Sequence, residues 1–89
     1  MEKIKVQNMM SCNGNYVPNQ FVIYVNGKKY FQSYGSIIAV IECGHITLDR
    51  HYWDYSRTTG KYRNIFLGED IEETRRKIRS GEYSLANLN

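Results

Sequence analysis

The sequence contains one proline, two cysteines and no long apolar run. With 42% hydrophobic and 24% charged residues, this composition excludes a proline-rich linker and argues against a disordered chain. A membrane-spanning helix needs about 18 or more consecutive apolar residues. No segment of the sequence approaches that length, so we expect a globular protein that is not a membrane protein.

Cys12 and Cys43 are the only cysteines, and no secretory signal pattern precedes them. Two isolated cysteines without such a signal favour free thiols in a reducing cytoplasm. Cys43 ends an apolar run, so we expect its side chain to be buried and unreactive.

The sequence also lacks the short motifs that carry catalysis. It has no glycine-rich phosphate loop, no H-E-x-x-H, no C-x-x-C and no G-x-S-x-G. Cys43, His45, Asp49 and His51 are of metal-ligating type, but a hairpin would place them on alternating faces. We therefore expect no enzyme, no metal site and no cofactor. An enzyme or a small-molecule-sequestering protein with an unrecognised pocket is the least favoured alternative.

The length and charge of the chain are modest. Eighty-nine residues suffice for one core, which predicts a single domain over residues 1–89. The net charge is +3, and residues 1–67 carry eight basic against four acidic side chains. A positive surface would belong to this part of the chain, and a charge of this size is compatible with an acidic partner without identifying one.

Strand patterns dominate residues 1–53. Ile4 and Val6 alternate with polar residues, and Asn26-Gly27 is typical of a type I′ turn between two alternating segments. The stretch 11–19 has the composition of a loop. We predict strands near residues 2–9, 20–25, 28–34, 36–43 and 46–53, with a turn at Gly44-His45.

Helix signals dominate residues 56–81. Ser56 or Thr58 can cap a first helix that turns Tyr62, Ile65 and Phe66 inward and ends at Gly68. A second helix runs from the cap Asp70 to Gly81. The predicted fold is α+β: a small antiparallel β-meander of about four to five strands, followed by one or two C-terminal helices packed on one face.

The second helix has a basic segment, "TRRKIR", with two interpretations. Acidic residues in its first turn and basic residues in its last turn favour a solvated helix that neutralises itself, with Glu72–Arg76 and Glu73–Lys77 pairs. Phosphate binding by the basic end is the alternative.

The stretch "HYWDYSRTTGKYRN", residues 51–64, is the densest aromatic and basic part of the chain, and we call it the aromatic-basic segment. In a structural interpretation Trp53 and Tyr55 pack inward and the basic residues are simply solvated. In a functional interpretation Tyr and Arg, which are enriched at interface hot spots, form a partner-binding surface. The predicted partner-binding residues are Arg50, Tyr52, Tyr55, Arg57, Lys61, Tyr62 and Arg63.

The segments "NQFVI", "YFQSYGSIIAVI", "LDRHYWDYSRTTGKYRNIFLGE" and "TRRKIRSGEY" occur in this order. Together, and above all through the pattern YWDYS-TT-KYRN-FLGE, they resemble an uncharacterised family of small proteins of bacteriophages and other bacterial mobile elements. The resemblance implies an origin in such an element, and it implies no catalytic residue. By analogy with such elements, it implies an inhibitor of a host defence system, similar to anti-CRISPR proteins, that acts in the cytoplasm of the bacterial host cell. Its expected partner is a host protein, such as a nucleic-acid-binding defence effector. The alternative is an accessory protein that binds nucleic acid directly through a basic patch. The sequence does not determine the oligomeric state.

Overall fold

The computed structural model describes residues 3–89 as one six-stranded sheet with two helices. The elements are β1 (Ile4–Met10), β2 (Tyr16–Val25), β3 (Lys28–Ser33), β4 (Ser36–Glu42), β5 (His45–Asp49), α1 (Arg57–Leu67), α2 (Ile71–Ser80) and β6 (Tyr83–Ala86). Along the sheet the strands follow one another in chain order. The structure confirms the α+β class and the C-terminal position of the helices.

The strand count exceeds the four to five that we predicted. The first five strands form the expected antiparallel meander, whereas β6 returns after both helices and pairs with β5 in parallel, Ile46 facing Tyr83. The four-residue β6 is too short to show a period-2 pattern. Its pairing depends on the two helices, which form the crossover that parallel neighbours require.

Two tight turns connect the central strands. Asn26 (φ 52°) and Gly27 (φ 77°) both adopt positive φ, which confirms the type I′ geometry predicted from the dipeptide. The next turn is formed by Cys43 (φ 51°) and Gly44 (φ 77°), not by Gly44-His45. Cys43 is therefore exposed in a turn, and the prediction that it is buried was wrong.

Two predicted strand boundaries differ from the structure. The loop predicted over 11–19 is shorter, since β2 already begins at Tyr16. Pro18 is accommodated because the β1–β2 ladder is interrupted there, between the pairs Met10–Tyr16 and Asn8–Phe21. The strand predicted to reach residue 53 ends at Asp49, because the chain turns away from the sheet at that point.

The core lies between one face of the sheet and the helices. Phe31, Ala39 and Leu48 are fully buried, and the Phe31 ring stacks on Phe66 of α1 at 5.6 Å between centroids. The inward stripe of α1 is Thr59, Tyr62, Arg63 and Phe66. Ile65 lies outside this stripe and is 54% exposed, contrary to our prediction. No helix among residues 3–89 combines the length and apolarity needed to cross a membrane.

Helix α2 begins and ends where its sequence predicted. The Asp70 carboxylate accepts a hydrogen bond from the Glu73 backbone N–H at 2.9 Å, and Gly81 adopts a left-handed conformation at the C-terminus. The ion pairs differ from the predicted ones. Arg75 pairs with Glu72, Arg76 pairs with Glu73, and Lys77 reaches back to Glu69. The basic end of α2 is thus largely neutralised by its own neighbours.

Candidate binding surface on the β5–α1 connection

The start of the connection between β5 and α1 is held by the buried carboxylate of Asp49. One oxygen accepts hydrogen bonds from the backbone N–H groups of His51 (3.0 Å) and Tyr52 (2.8 Å), and the other accepts one from Leu88 (2.8 Å). Burial raises the pKa of Asp49, but these hydrogen bonds outweigh it and the pKa lies below its ordinary value. An ionised carboxylate therefore fixes where the aromatic-basic segment begins.

The middle of the connection is held by Arg63, which points inward from α1. One guanidinium nitrogen donates to the Trp53 carbonyl oxygen at 2.7 Å and to Asp54 at 3.1 Å, and the other donates to the Asn64 side chain at 3.0 Å. The guanidinium carbon also lies 5.3 Å from the centroid of the Trp53 ring. These contacts use the Arg63 guanidinium to stabilise the connection from inside the protein.

The end of the connection is capped by Ser56, which accepts a hydrogen bond from the Thr59 backbone N–H at 3.2 Å. The Thr59 hydroxyl also bonds Ser33 of β3 at 2.8 Å. Of the two caps that the sequence allowed, Ser56 is the one used. The beginning of α1 is thus anchored both to its own connection and to the sheet.

The seven predicted partner-binding residues separate by exposure. Arg50, Tyr55, Arg57 and Lys61 are exposed, Tyr52 is half-buried, and Tyr62 and Arg63 are buried. Burial leaves Tyr62 and Arg63 no surface to offer a partner in this conformation. Trp53 is half-buried against the core, as the structural interpretation predicted, whereas Tyr55 points to solvent. The partner-binding role of the five accessible residues stays a prediction.

The exposed tyrosines frame a hollow, which we call the tyrosine hollow. It has a volume of about 620 Å³ and is lined by Tyr34, Tyr55, Ser56, Arg57 and Thr58. Tyr34 is 47% exposed and Tyr55 is 64% exposed. The Tyr55 ring is braced by Tyr52, whose ring meets it edge-on at 5.5 Å.

Sequence reasoning missed Tyr34, which lies outside the aromatic-basic segment. Tyr34 adopts positive φ (55°) between β3 and β4, and its backbone N–H donates to the Asn19 carbonyl oxygen at 2.7 Å. A large residue at positive φ is uncommon. In the sequence, the position of Tyr34 before Gly35 indicated a turn residue. Only the tertiary structure places Tyr34 beside Tyr55.

A second exposed strip follows α1. Arg57, Lys61 and Ile65 are four residues apart and share the outer face of the helix. They line one side of an open groove of about 790 Å³, with Ile71 and Arg75 of α2 across from them. Within residues 3–89, Arg57 and Lys61 form no salt bridge, so their charges are available to a partner.

A family model matches residues 4–82, nearly the whole chain, and its family is described as one of unknown function, DUF8033. The chain belongs to this DUF8033 family. The match spans the tyrosine hollow and both helices, and it agrees with the expectation of an uncharacterised family. No curated protein and no solved structure matches the chain.

Proposed function

We propose that this DUF8033 protein is a small non-enzymatic binding protein that acts by protein–protein contact through the tyrosine hollow and Arg57. The observation that carries the proposal is the pair of exposed tyrosine rings. Tyr55 lies on a connection held by Asp49, Arg63 and Ser56, and the backbone of Tyr34 is held by its hydrogen bond to Asn19. Tyr and Arg in a pre-ordered surface are typical of interface hot spots, because little conformational entropy is lost on binding.

The more specific proposal is an inhibitor of a host defence system, encoded by a bacteriophage or another mobile element and acting in the bacterial cytoplasm. It rests on the resemblance of the YWDYS-TT-KYRN-FLGE pattern to small proteins of such elements. The exposed basic residues Arg50, Arg57 and Lys61 favour contact with an acidic part of a host protein, such as a nucleic-acid-binding defence effector.

Direct nucleic-acid binding through the aromatic-basic segment is the alternative function. Three of the predicted partner-binding residues are basic and belong to this segment: Arg57, Lys61 and Arg63. The internal hydrogen bonds of Arg63 leave two of these three charges for phosphates. This loss favours the protein-directed proposal for this surface.

A capture experiment from bacterial host lysate, with and without nuclease, tests the proposal. The expected result is a partner that is retained after nuclease treatment and is lost with Tyr55→Ala or Arg57→Ala. A hot-spot truncation costs about 2 kcal/mol or more, roughly a 30-fold loss of affinity. Tyr16→Ala is the matched control, because Tyr16 is even more exposed than Tyr55 but lies on β2, outside the hollow. Capture that disappears with nuclease, or that Tyr16→Ala weakens as much as Tyr55→Ala, contradicts the proposal.

The inhibitor role is tested by expressing the protein in bacteria whose defence system restricts a challenge phage. Wild-type protein should raise the number of plaques, and Tyr34→Ala/Tyr55→Ala should abolish the effect at equal protein level. If the protein leaves phage restriction unchanged across a panel of defence systems, the inhibitor role is contradicted. The capture experiment tests the binding surface independently of that role.

A further inference from the structure

The strands β1 and β2 form a part of the sheet that the helices leave open. Helix α1 packs on β3 and α2 packs on β6, while the side chains from Ile4 to Gln7 are all exposed. Because strand side chains alternate between faces, Lys3, Lys5 and Gln7 share the helix side of the sheet.

A row of side chains crosses this open part on the helix side. Lys5 pairs with Tyr24, and Tyr24 pairs with Lys29, so the three side chains stand next to each other on neighbouring strands. At a strand spacing of about 4.8 Å, the two lysines are about 10 Å apart with the tyrosine between them. The Lys29 ammonium lies 5.9 Å from the centroid of the Tyr24 ring and 5.3 Å from that of Phe66.

Among the residues that the structure describes, no acidic side chain compensates the charge of this row. The sequence contains no Asp or Glu from residue 3 to residue 41. Within residues 3–89, Lys28 pairs with Glu42, but Lys3, Lys5 and Lys29 form no salt bridge. Three lysines that line one hollow, without a counter-charge among residues 3–89, favour a ligand that carries several negative charges.

Two adjoining hollows share Tyr24 and Lys29. One, of about 490 Å³, contains Lys3, Lys5 and the β2–β3 turn. The other, of about 230 Å³, is lined by apolar side chains, including Met9, Met10 and Phe66, together with the polar side chains of Gln7 and Lys29, and we call it the mixed hollow. A hollow lined by lysines thus lies next to the mixed hollow, and the 37% exposed ring of Tyr24 lines both.

We propose that this row is a binding site for single-stranded nucleic acid. Lys3, Lys5 and Lys29 would bind the phosphates, and a base would occupy the mixed hollow against the Tyr24 ring. Lysines that follow a backbone beside an aromatic ring on which bases stack are the general means by which proteins bind single strands. The site shares no residue with the tyrosine hollow and does not depend on the function proposed for it.

The mixed hollow favours nucleic acid over a polypeptide that carries only acidic side chains, because a base is flat and has polar edges that Gln7 and Lys29 can meet. Carboxylates would satisfy the lysines but would leave the hollow and the exposed ring without a matching group. A nucleotide carries both an anionic and a flat, weakly polar part, and the two hollows fit that combination.

The test is fluorescence anisotropy with a labelled oligothymidylate of about 12 nucleotides, a length within the usual range of single-strand sites. With three phosphate contacts, log K should fall with log salt at a slope of about −2, since each contact contributes about −0.7 on a single strand. An oligoglutamate peptide and a duplex of equal length should bind at least about tenfold more weakly, since neither offers an unpaired base for stacking.

Four variants test whether binding depends on this site or only on the overall positive charge of the protein. Lys3→Gln/Lys5→Gln, whose side chains are exposed, should reduce the slope to about −0.7. Tyr24→Leu should weaken binding about tenfold, and Tyr24→Phe should restore it. Arg79→Gln is the control for lost charge, because Arg79 is exposed on α2 and forms no salt bridge within residues 3–89.

Each result decides for or against the site. A reduced slope with Lys3→Gln/Lys5→Gln and unchanged binding with Arg79→Gln supports it. No binding at about 50 mM salt, where phosphate contacts are strong, overturns it. Equal weakening by both lysine and Arg79 variants, or oligoglutamate binding as tight as oligothymidylate, also overturns it.

Discussion

Arg63 combines a cationic side chain with a buried, structural position. Among the candidates in the aromatic-basic segment it had the features of a phosphate or partner contact, yet it forms three hydrogen bonds inside the protein. The planar guanidinium can donate to several acceptors while its face lies on an aromatic ring, which lysine cannot do. Its position on the inward stripe of α1, between Tyr62 and Phe66, determines this role.

The Arg63→Lys variant should be less stable than the wild type by about 1–3 kcal/mol, because acceptors of Arg63 are left without a donor. For a domain of this size that corresponds to a fall in Tm of about 4–8 °C per kcal/mol. Thermal unfolding followed by circular dichroism measures it, with Arg79→Lys as the exposed control. A variant that melts with the wild type would show that the Trp53 carbonyl and Asp54 do not need this donor.

At the scale of elements, the beginning of α1 depends on one hydroxyl. Ser56 and Thr58 were equivalent caps from the sequence alone, since both have hydroxyl side chains that can accept from a backbone N–H. In the structure Ser56 caps the helix and bonds the Thr59 hydroxyl, whereas Thr58 is an exposed residue in the first turn. The cap also supports one wall of the tyrosine hollow.

We expect Ser56→Ala to lower the free energy of unfolding by about 0.5–2 kcal/mol, the usual loss of an N-cap. Thr58→Ala is the matched control and should change it by less than about 0.5 kcal/mol, as surface substitutions do. Urea unfolding of the two variants side by side measures the difference. The same loss in both variants, or a larger loss in Thr58→Ala, would mean that the helix begins elsewhere.

At the scale of the whole molecule, a second buried carboxylate connects the helices to β6. One oxygen of Glu69 accepts hydrogen bonds from the Tyr83 hydroxyl (2.7 Å) and the Lys77 ammonium (2.8 Å), and the other accepts one from Thr74 (2.6 Å). Burial raises the pKa of Glu69, but the hydrogen bonds from Lys77, Thr74 and Tyr83 outweigh it, so the pKa is lowered. The pKa of Tyr83 is raised in turn, first by burial and then by its bond to Glu69.

The lowered pKa values of Asp49 and Glu69 predict a stability that falls in acid. Both carboxyls have lower pKa values folded than unfolded, so their contribution is complete above about pH 5 and is lost as the pH falls through the folded values. Urea unfolding at a series of pH values from neutral to about 3 measures this loss.

Asp49→Asn and Glu69→Gln identify the source of the acid sensitivity. Each variant should be less stable than the wild type at neutral pH, and its stability should depend less on pH in acid, because one titrating group is absent. Asp70→Asn keeps an N-cap acceptor and serves as an exposed carboxyl control. If the variants follow the same pH curve as the wild type, other groups cause the acid sensitivity.

Local patterns in the sequence determined most of the elements of this protein. Asn26-Gly27 specified a hairpin because few dipeptides adopt two successive positive φ angles, and Asp70 and Gly81 bounded α2 because caps act within a single turn. Tyr62 and Phe66 were identified as core residues by their helical spacing. Each of these signals extends over a few residues and so is visible in the sequence.

The tertiary structure alone decided the features that depend on distant parts of the chain. The pairing of β6 with β5 requires both helices to form the crossover, and the tyrosine hollow requires the turn at Tyr34 to meet the connection at Tyr55. The burial of Arg63 depends on the Trp53 carbonyl and Asp54, which lie within hydrogen-bonding distance of its guanidinium group. The row of Lys5, Tyr24 and Lys29 depends on strand register. Composition and periodicity give the type and local conformation of a residue, but the neighbours that engage or expose it come from chain segments that only the fold brings together.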